Sequence, residues 1–419
     1  MSELLNRVRR RAGRLLREFL PYNEHHRPIG VHASSYALAN QQWSGVRYWP
    51  VVPAYTSRLV VPPGFSEAVS VYESMAHGKP QPEEQMPEAF VVELPYGRLS
   101  ADNWDSVAII AADNKLVGDV SFQHARRGWA ILKPQDNNIF TQRYFQEPVL
   151  VRGTVLSLLA GGGAAMGNYY HWLIDSLPRL HLVQKAGLLG DIDYFLVYDK
   201  ECSFMRESLL ALGIRPEQLL DVRTHRHLRA KRLLVTSPVR AGGRHSPYWV
   251  SEFLRQNYLP LTPEPRRFAR RVFISRRDAT MRRLLNEAEA EAVLREFGFE
   301  TYVLSELSLR EKAELFSEAE AIVGTVGAGM ANLMFATPGT PLLELHPHTF
   351  VEPESADTAY RVGLPYYWLT GRPSAPGSTS YYDARHLDLY VDPTALRAAL
   401  TRLVQVVPTR SAFVDSHLV

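Results

Sequence analysis

The chain has 419 residues, of which 46% are hydrophobic and 22% charged, and its formal net charge is +3. This amount of apolar sequence predicts a folded protein of two domains, and so small a net charge over such a surface does not suggest nucleic-acid binding as the basis of function. A single cysteine, Cys202, excludes an intrachain disulfide and is typical of a reducing compartment, so the predicted location is the cytoplasm.

Residues 1–25 form a basic segment of their own. Apolar residues alternate with arginines at helical spacing, and the apolar runs are too short to cross a bilayer or to act as an export signal. The arginines are Arg7, Arg9, Arg10, Arg11, Arg14 and Arg17. Two interpretations fit this amphipathic helix: peripheral contact with the inner membrane through residues 1–20, or packing on the protein body with the arginines solvated.

Residues 26–150 are predicted to be an N-terminal extension with a β-rich portion. Proline and glycine are frequent up to residue 89, and residues 78–89 are typical of an exposed connector. Strands are predicted at 90–94, 106–111 and 129–132, with a turn at 113–115. No catalytic constellation occurs here, so we expect an accessory or acceptor-facing role.

The segment GGGAAMGNYYHWLIDSLPRLHL, residues 161–182, contains a candidate acid–base pair. Asn168 is a suitable cap for a helix on which His171, Asp175 and Arg179 recur every four residues and share one face. The carboxylate can fix the imidazole tautomer, which leaves the other ring nitrogen to accept a proton from a hydroxyl. Pro178 predicts a kink. Alternatively, His171 and Asp175 only bond each other on a partly buried helix.

Residues 151–262 alternate between strands and helices, as in a Rossmann-like domain. Strands are predicted at 194–198, 219–222 and 232–236, helices at 204–212 and 251–258, and a proline-rich boundary follows near 260–265. Asp191 and Asp193 form a D-x-D tripeptide. Its short length and its place in a connection favour a solvated turn over a metal site.

A second alternating region, residues 263–405, begins with a strand at 271–275. Polar and basic side chains follow at the strand end, where α/β folds bind ligands and arginine forks suit phosphate oxygens. They are Ser275, Arg276, Arg277, Arg282 and Arg283. The alternative is a solvated basic turn balanced by nearby acidic residues. A strand at 300–304 and helices at 309–319 and 393–403 are also predicted, and residues 406–419 form a tail.

The segment AIVGTVGAGMANLMFATPGTPLLEL, residues 321–345, reads as strand, glycine-rich turn, short helix and second strand. Gly324, Gly327 and Gly329 let backbone N–H groups approach an anion, which predicts a bound pyrophosphate. Asn332 replaces the third glycine of the dinucleotide fingerprint, and Glu344 is predicted at the end of the second strand, where a ribose-binding carboxylate sits. A turn without any ligand is the alternative.

Three ordered blocks, NYYHWLIDSLPRL, FISRRDATMRRLLNE and IVGTVGAGMANLMFATPGTPLLEL, resemble glycosyltransferase family 61. The resemblance implies a GT-B architecture of two Rossmann-like domains facing a cleft, inversion at the anomeric carbon, no obligatory metal and no cofactor besides the nucleotide-sugar substrate. It implies catalytic roles for His171 and Asp175. The implied donor-binding residues are Ser275, Arg276, Arg283, Asn286, Gly327, Ala328, Gly329, Asn332 and Glu344.

Val326 departs from the family pattern, which commonly has histidine there; this predicts another donor, another binding mode or lost activity. The expected function is transfer of a sugar to a glycan or lipid-linked glycan acceptor, in synthesis of a bacterial surface polysaccharide. Two other functions stay open. An NAD-type oxidoreductase would use Glu344 on the ribose, and an inactive protein would only bind sugar nucleotides or glycans.

Overall fold

The computed structural model describes residues 24–70, 79–102, 106–125, 131–240, 245–260, 265–375 and 381–406. Several sequence predictions lie wholly or largely outside these ranges. They are the amphipathic helix at 1–20, the boundary near 260–265 and the tail 406–419. In the described residues the protein is a mixed α/β structure with parallel sheets, as predicted.

The first sheet contains eleven strands, which come from the N-terminal extension and from the first alternating region. They are β1 (Val31–His32), β2 (Arg47–Val52), β5 (Ala89–Pro95), β6 (Arg98–Asp102), β7 (Ser106–Ile110), β8 (Leu116–Val117), β9 (Phe122–Gln123), β10 (Val149–Ser157), β11 (Tyr194–Val197), β12 (Leu219–Asp221) and β13 (His227–Thr236). A separate hairpin pairs β3 (Tyr55–Arg58) with β4 (Glu83–Met86).

The parallel part of this sheet has the order β13-β10-β11-β12. The chain moves outward from β10 through β11 to β12 and then returns to the other side of β10 as β13. The strand order therefore reverses between β10 and β13, and such a switch point leaves a crevice outside the carboxyl ends of the two strands. Buried side chains such as Leu156 and Leu234 fill the sheet beneath that crevice.

The N-terminal extension adds antiparallel strands to the same sheet. Strand β5 pairs with β13 and with β2, and β6 pairs with β13 and β7. The predicted strands at 90–94 and 106–111 are confirmed, and Asn114 has the positive φ of 63° that suits the predicted turn. The predicted connector at 78–89 is wrong in part, because Glu83–Met86 pairs with Tyr55–Arg58. Of the strand predicted at 129–132, the described part shows one isolated bridge, between Ile131 and His124.

The second sheet is parallel except for its last strand and has the order β15-β14-β16-β17-β18-β19. Its strands are β14 (Arg271–Ser275), β15 (Phe299–Val303), β16 (Ala321–Thr325), β17 (Leu342–Pro347), β18 (Tyr366–Pro373) and β19 (Leu389–Tyr390). The five parallel strands follow the doubly wound order 2-1-3-4-5, whose switch point lies between the first and third strands, here β14 and β16.

The helices predicted at 204–212, 251–258, 309–319 and 393–403 are present with small shifts at their ends, and further helices also flank the sheets. The helices of eight or more residues are α1 (Ser203–Ala211), α2 (Tyr248–Tyr258), α3 (Glu287–Glu296), α4 (Leu309–Glu318), α5 (Glu354–Val362) and α6 (Pro393–Gln405). The short helices are Ser35–Ala39, Phe65–Ala68, Gly162–Ala165, Tyr169–His171, Arg179–Lys185 and Tyr381–Ala384. Helix α4 begins with a capping box in which Ser308 and Glu311 bond each other's backbone N–H groups.

One buried cluster runs through both alternating regions. It includes Trp172 and Leu173 of the first region and Met330 and Phe335 of the second. Arg255 of α2 donates hydrogen bonds to the carbonyl groups of residues 335 and 336, each at 2.6 Å. The two sheets are therefore held in contact by apolar burial and by satisfied backbone carbonyls.

Candidate active site

The first group of candidate residues lies on a short helical turn above the crevice between β10 and β13. The Asn168 side chain accepts a hydrogen bond from the N–H of Tyr170, which confirms the predicted cap, and the α-helical turn Tyr169–His171 continues as a π-helical turn, Trp172–Ser176. Pro178 then begins the next helix, Arg179–Lys185. A π-helical turn is rare in proteins and is frequent at functional sites.

His171 and Asp175 meet as the spacing predicts. The Nδ1 atom of His171 lies 2.7 Å from Oδ2 of Asp175, and about a third of the imidazole is exposed. Gly163 lies so close to this ring that a Cβ there would overlap His171 Cδ2. The glycine-rich loop before the helix is therefore needed to seat the imidazole.

Arg240 clamps the carboxylate from the opposite side of the crevice. It follows β13 and donates from Nε to Oδ1 of Asp175 at 2.8 Å and from Nη2 to Oδ2 at 2.9 Å. Burial acts to raise the pKa of Asp175, but the Arg240 guanidinium and the hydrogen bond from His171 hold it well below its usual range. Asp175 is thus an acceptor only, so Nδ1 of His171 carries the proton and Nε2 has the free lone pair.

Arg179 does not join this face in the predicted way. Its Nε donates to the backbone carbonyl of Asp175 at 3.2 Å, and its Nη1 lies 3.2 Å from Oγ1 of Thr236. The side chain fixes the π-helical turn to the end of β13 rather than taking part in the acid–base pair. Arg240, which sequence reasoning missed, occupies the cationic position.

The second group lies at the switch point of the other sheet, where β14 and β16 end. The Arg276 guanidinium rests against Gly327 so closely that a Cβ at position 327 would overlap its Nη1 atom. Burial lowers the pKa of Arg276 to about 10, and the nearby charge of Arg282 acts in the same direction. The Nε atoms of both arginines are buried without a hydrogen-bond partner. Nη1 of Arg282 lies 3.6 Å from Glu352, but the unused Nε donors of two neighbouring cations still suit an anion.

A hydrogen bond between side chains connects the two groups. The Tyr169 hydroxyl, two residues before His171, donates to Oδ1 of Asn332 at 2.8 Å, and Nδ2 of Asn332 donates to the carbonyl of Gly329 at 2.8 Å. The imidazole turn and the glycine turn are therefore neighbours. Beside this contact is a cavity of about 260 Å³, whose walls include Tyr169, Arg276 and Gly329.

Comparison with protein families finds a match to the model described as Glycosyltransferase 61, over residues 169–343. Over this segment the chain is similar to glycosyltransferase family 61. The match begins at Tyr169 and includes His171, Asp175, Arg240 and the Arg276–Gly327 contact. The match supports a glycosyltransferase that acts on a sugar donor and an acceptor. A search of curated proteins found no match.

Two residues implied by the family resemblance are placed away from an anion at the glycine turn. Arg283 is exposed and pairs with Asp388, Nη2 to Oδ2 at 2.8 Å, whereas the side chain of its neighbour Arg282 is largely buried, 3.6 Å from Glu352 and close enough to Arg276 to act on its pKa. Asn286 donates to the carbonyl of Val391 at 2.8 Å. These contacts hold the end of the β14 loop against β19, so the inward arginine of this glycosyltransferase 61 region is residue 282.

Ser275, Asn332 and Glu344 already bond within the protein. Ser275 donates to Glu287 at 2.8 Å, and Asn332 connects Tyr169 with the glycine turn. Glu344 was predicted at the end of a strand, but β17 continues beyond it to Pro347. Its fully buried carboxylate accepts hydrogen bonds from Ser355 at 2.7 Å and from Tyr366 at 2.8 Å. Glu344 therefore has no free edge for a ribose.

The glycine turn itself has the predicted form with one difference. Gly327 is followed by a 3-10 helix, Ala328–Phe335, which begins two residues before the predicted helix. Ala328 and Gly329 are half-buried in its first turn, where backbone N–H groups lack partners within the helix. Val326 is fully buried, and its N–H donates to the carbonyl of Leu345 at 3.0 Å.

Both carboxylates of the D-x-D tripeptide contact other groups of the protein. Oδ2 of Asp191 lies 3.3 Å from Arg232, and Oδ2 of Asp193 accepts the N–H of Thr154 at 2.7 Å. Within the described ranges, no group of three or more histidine, cysteine, aspartate or glutamate residues is arranged to hold a metal ion. In the same part of the chain, no helix combines the length and the apolar character needed to span a membrane.

Proposed function

We propose that this protein is an inverting, metal-independent glycosyltransferase that transfers a hexose or pentose from a nucleotide-sugar to a hydroxyl group of a glycan or lipid-linked glycan. One observation carries the proposal. The helical turn on which His171 bonds Asp175 is connected to the glycine turn by the hydrogen bond between Tyr169 and Asn332. Arg276 and Arg282, beside the glycine turn, keep Nε donors without a partner. The arrangement we infer is GT-B-like, with residues 151–262 on the acceptor side and residues 263–405 on the donor side.

The first chemical step follows from the ionisation of Asp175. The charged carboxylate keeps the Nδ1 proton of His171 in place, so Nε2 can remove the proton of an acceptor hydroxyl. Arg240 Nη2 lies 3.4 Å from Nδ1, but two donors cannot bond each other, and its stronger contacts are to Asp175. Arg240 is a positioning residue that keeps the carboxylate charged and fixed.

The second part of the step concerns the leaving group. The acceptor oxygen forms a bond to the anomeric carbon as the bond from that carbon to the diphosphate oxygen breaks, and this single displacement inverts the configuration. The electron pair leaves with the nucleoside diphosphate. We infer that Arg276, Arg282 and the N–H groups around residues 327–329 stabilise that charge.

The dehydrogenase interpretation depended on Glu344 as the ribose ligand. That carboxylate is buried and accepts hydrogen bonds from Ser355 and Tyr366, so the observation that favoured an NAD cofactor is gone. Loss of activity at Val326 would require a donor contact at that position. The Val326 side chain lies in the core instead, so the proposal does not depend on a histidine there.

The test is a screen of nucleotide-sugars with a library of oligosaccharide acceptors, in which release of nucleoside diphosphate and the product anomer are measured. We expect one donor to support inverting transfer and His171→Asn to slow it by about a hundred- to ten-thousand-fold. His225→Asn, at a half-exposed histidine away from the cavity, is the control. Absence of transfer with every donor, or an unchanged rate in His171→Asn, would contradict the proposal.

The cellular setting is proposed from the sequence alone. A cytoplasmic enzyme of bacterial surface polysaccharide (capsule) synthesis, peripheral on the inner membrane through residues 1–20, suits the basic start of the chain. Flotation with anionic vesicles should capture the full chain and lose it when the six arginines are changed to glutamine. Equal flotation of both forms would show that these arginines do not bind the membrane.

A further inference from the structure

Lys312 on α4 is a buried lysine that makes no close ion pair within the described residues, although the charges of Glu207 and Glu311 act on it. Lys312 is only 9% exposed, and none of the described residues forms an ion pair or a hydrogen bond with its ammonium group. The nearby carboxylates are already used: Glu207 accepts the N–H of Leu309 at 2.6 Å, and Glu311 bonds Ser308 and Arg267. Removing a lysine from water is unfavourable, and a contact with the Tyr169 ring and two carboxylates that make no close ion pair with it offset this only in part.

The ammonium group lies at an aromatic wall of the cavity between the two regions. Nζ of Lys312 is 5.1 Å from the centre of the Tyr169 ring, and Phe204 packs edge-on against the same ring at 5.3 Å. Leu304, from the end of β15, lines the same space. Burial lowers the pKa of Lys312, which agrees with an amine that faces a confined cavity more than bulk solvent.

The cavity extends from the switch point toward the edge of the second sheet. Arg276 follows β14 and Gly329 follows β16, whereas Leu304 and Lys312 follow the edge strand β15. The hydroxyl of Thr325 also lines this space and is buried without a partner. A ligand whose diphosphate contacts Arg276 would therefore place the rest of the nucleotide beside Lys312.

The chemistry of this outer part suits a flat heterocycle. Aromatic and aliphatic side chains form its walls, and Lys312 supplies hydrogen-bond donors but no acceptor. A keto oxygen on a base accepts a hydrogen bond from that amine, whereas adenine has an exocyclic amino group, which does not accept, and offers only ring nitrogens. We propose that this cavity is the base-recognition part of the donor site and that Lys312 selects a nucleotide with a keto base, such as uracil, thymine or guanine.

This inference rests on the proposed function, and the experiment separates the two. Titration calorimetry measures binding of UDP, dTDP, GDP, ADP and inorganic pyrophosphate to the wild type, to Lys312→Met and to Lys185→Met. Lys185 is an exposed lysine on another helix and is the matched control. Methionine keeps the length and the apolar stem of lysine, and thermal unfolding checks that each variant is folded.

We expect the wild type to bind one keto nucleotide at least about tenfold more tightly than ADP. Lys312→Met should weaken the binding of that nucleotide by about ten- to a hundredfold, the usual effect of losing a hydrogen bond from a charged donor. The affinities for ADP and pyrophosphate should change by less than about twofold, and Lys185→Met should match the wild type.

Three results would overturn the inference. If Lys312→Met bound ADP, pyrophosphate and the keto nucleotides more weakly to the same degree, Lys312 would contact the phosphates. If its affinities were unchanged, Lys312 would not contact the ligand. Either result leaves the proposed glycosyltransferase in place, because nucleotides still bind. Binding of no nucleotide by the wild type would instead remove the proposed function and this inference together.

Discussion

Arg240 determines the state of the acid–base pair although it lies 65 residues after Asp175 in the chain. A spacing of four residues suffices to predict contact between His171 and Asp175. Arg240 reaches them only because β13 returns to the side of β10, which local sequence does not encode. A usable signal existed in its position just after a predicted strand, where ligand-binding residues of parallel sheets collect.

Ionisation of Asp175 should appear in the stability of the protein. Because the pKa is depressed in the folded state, the stabilising contribution is complete above the ordinary carboxyl pKa of about 4 and is lost as the pH falls below it. We expect the melting temperature of the wild type to fall more between about pH 5 and pH 3 than that of Asp175→Asn.

At about pH 5 the Asp175→Asn variant should already be less stable, by about 3 kcal/mol, because Arg240 is left without its counter-ion. Thermal unfolding followed by circular dichroism at each pH measures both effects. Asp136→Asn, at an exposed position, is the control. Parallel melting curves for the wild type and Asp175→Asn across this pH range would contradict the linkage.

The two arginines at positions 282 and 283 should differ in donor binding. Arg282 has a positive φ of 57°, which turns it inward while Arg283 points outward to Asp388. The sequence placed both arginines in one basic cluster, and the family resemblance implied Arg283, because a reversal of the backbone at one residue is not visible in a run of arginines. Arg282→Lys and Arg276→Lys should weaken nucleoside diphosphate binding by about tenfold or more.

Arg283→Lys should change that affinity by less than about twofold, since its guanidinium contacts Asp388 and not the anion site. Calorimetry with the preferred nucleotide measures all three variants. If Arg283→Lys weakened binding as strongly as Arg282→Lys, the assignment made from the side-chain directions would be incorrect.

The two glycine turns, one at each switch point, have different roles. At Gly163 an added Cβ overlaps the His171 ring, and at Gly327 it overlaps the Arg276 guanidinium. Gly163→Ala should therefore lower kcat by about a hundredfold, the cost of a displaced catalytic group, with little change in nucleotide affinity. Gly327→Ala should weaken nucleotide binding instead.

Steady-state kinetics and calorimetry distinguish the two effects. Gly190→Ala is the matched control, because a Cβ there meets no atom within 4 Å and should leave both quantities unchanged. If both site variants lost affinity and kcat to the same degree, the two turns would not have separate roles.

At the level of strands and turns, most of the fold was predictable from the sequence. Strand β14 has the predicted bounds, and the glycine turn follows β16 as its pattern indicated, because apolar runs and glycines act locally. Asn332 and Glu344 were placed on a donor by analogy with the dinucleotide fingerprint. Their real partners, Tyr169 and Tyr366, come from other elements, and no spacing rule could have identified them.

Across the whole molecule, the contact between Tyr169 and Asn332 should transmit donor binding from one sheet to the other. Hydrogen exchange followed by mass spectrometry should show slower exchange in residues 328–335 when nucleotide binds. In the wild type, residues 169–176 should also be protected, because their helical turn is bonded to the glycine turn.

Tyr169→Phe should confine that protection to residues 328–335. Tyr248→Phe removes a phenol hydroxyl from an exposed tyrosine and should behave as the wild type does. Protection confined to residues 328–335 in the wild type as well would show that the two regions respond independently.

The account depends on His171 and Arg276 acting on one donor molecule, and a crystal structure with a non-hydrolysable nucleotide-sugar tests this most directly. We predict that the diphosphate contacts Arg276 and the N–H groups of residues 327–329. The anomeric carbon should face Nε2 of His171, with space between them for an acceptor oxygen. A diphosphate bound elsewhere, or a sugar directed away from His171, would contradict the account.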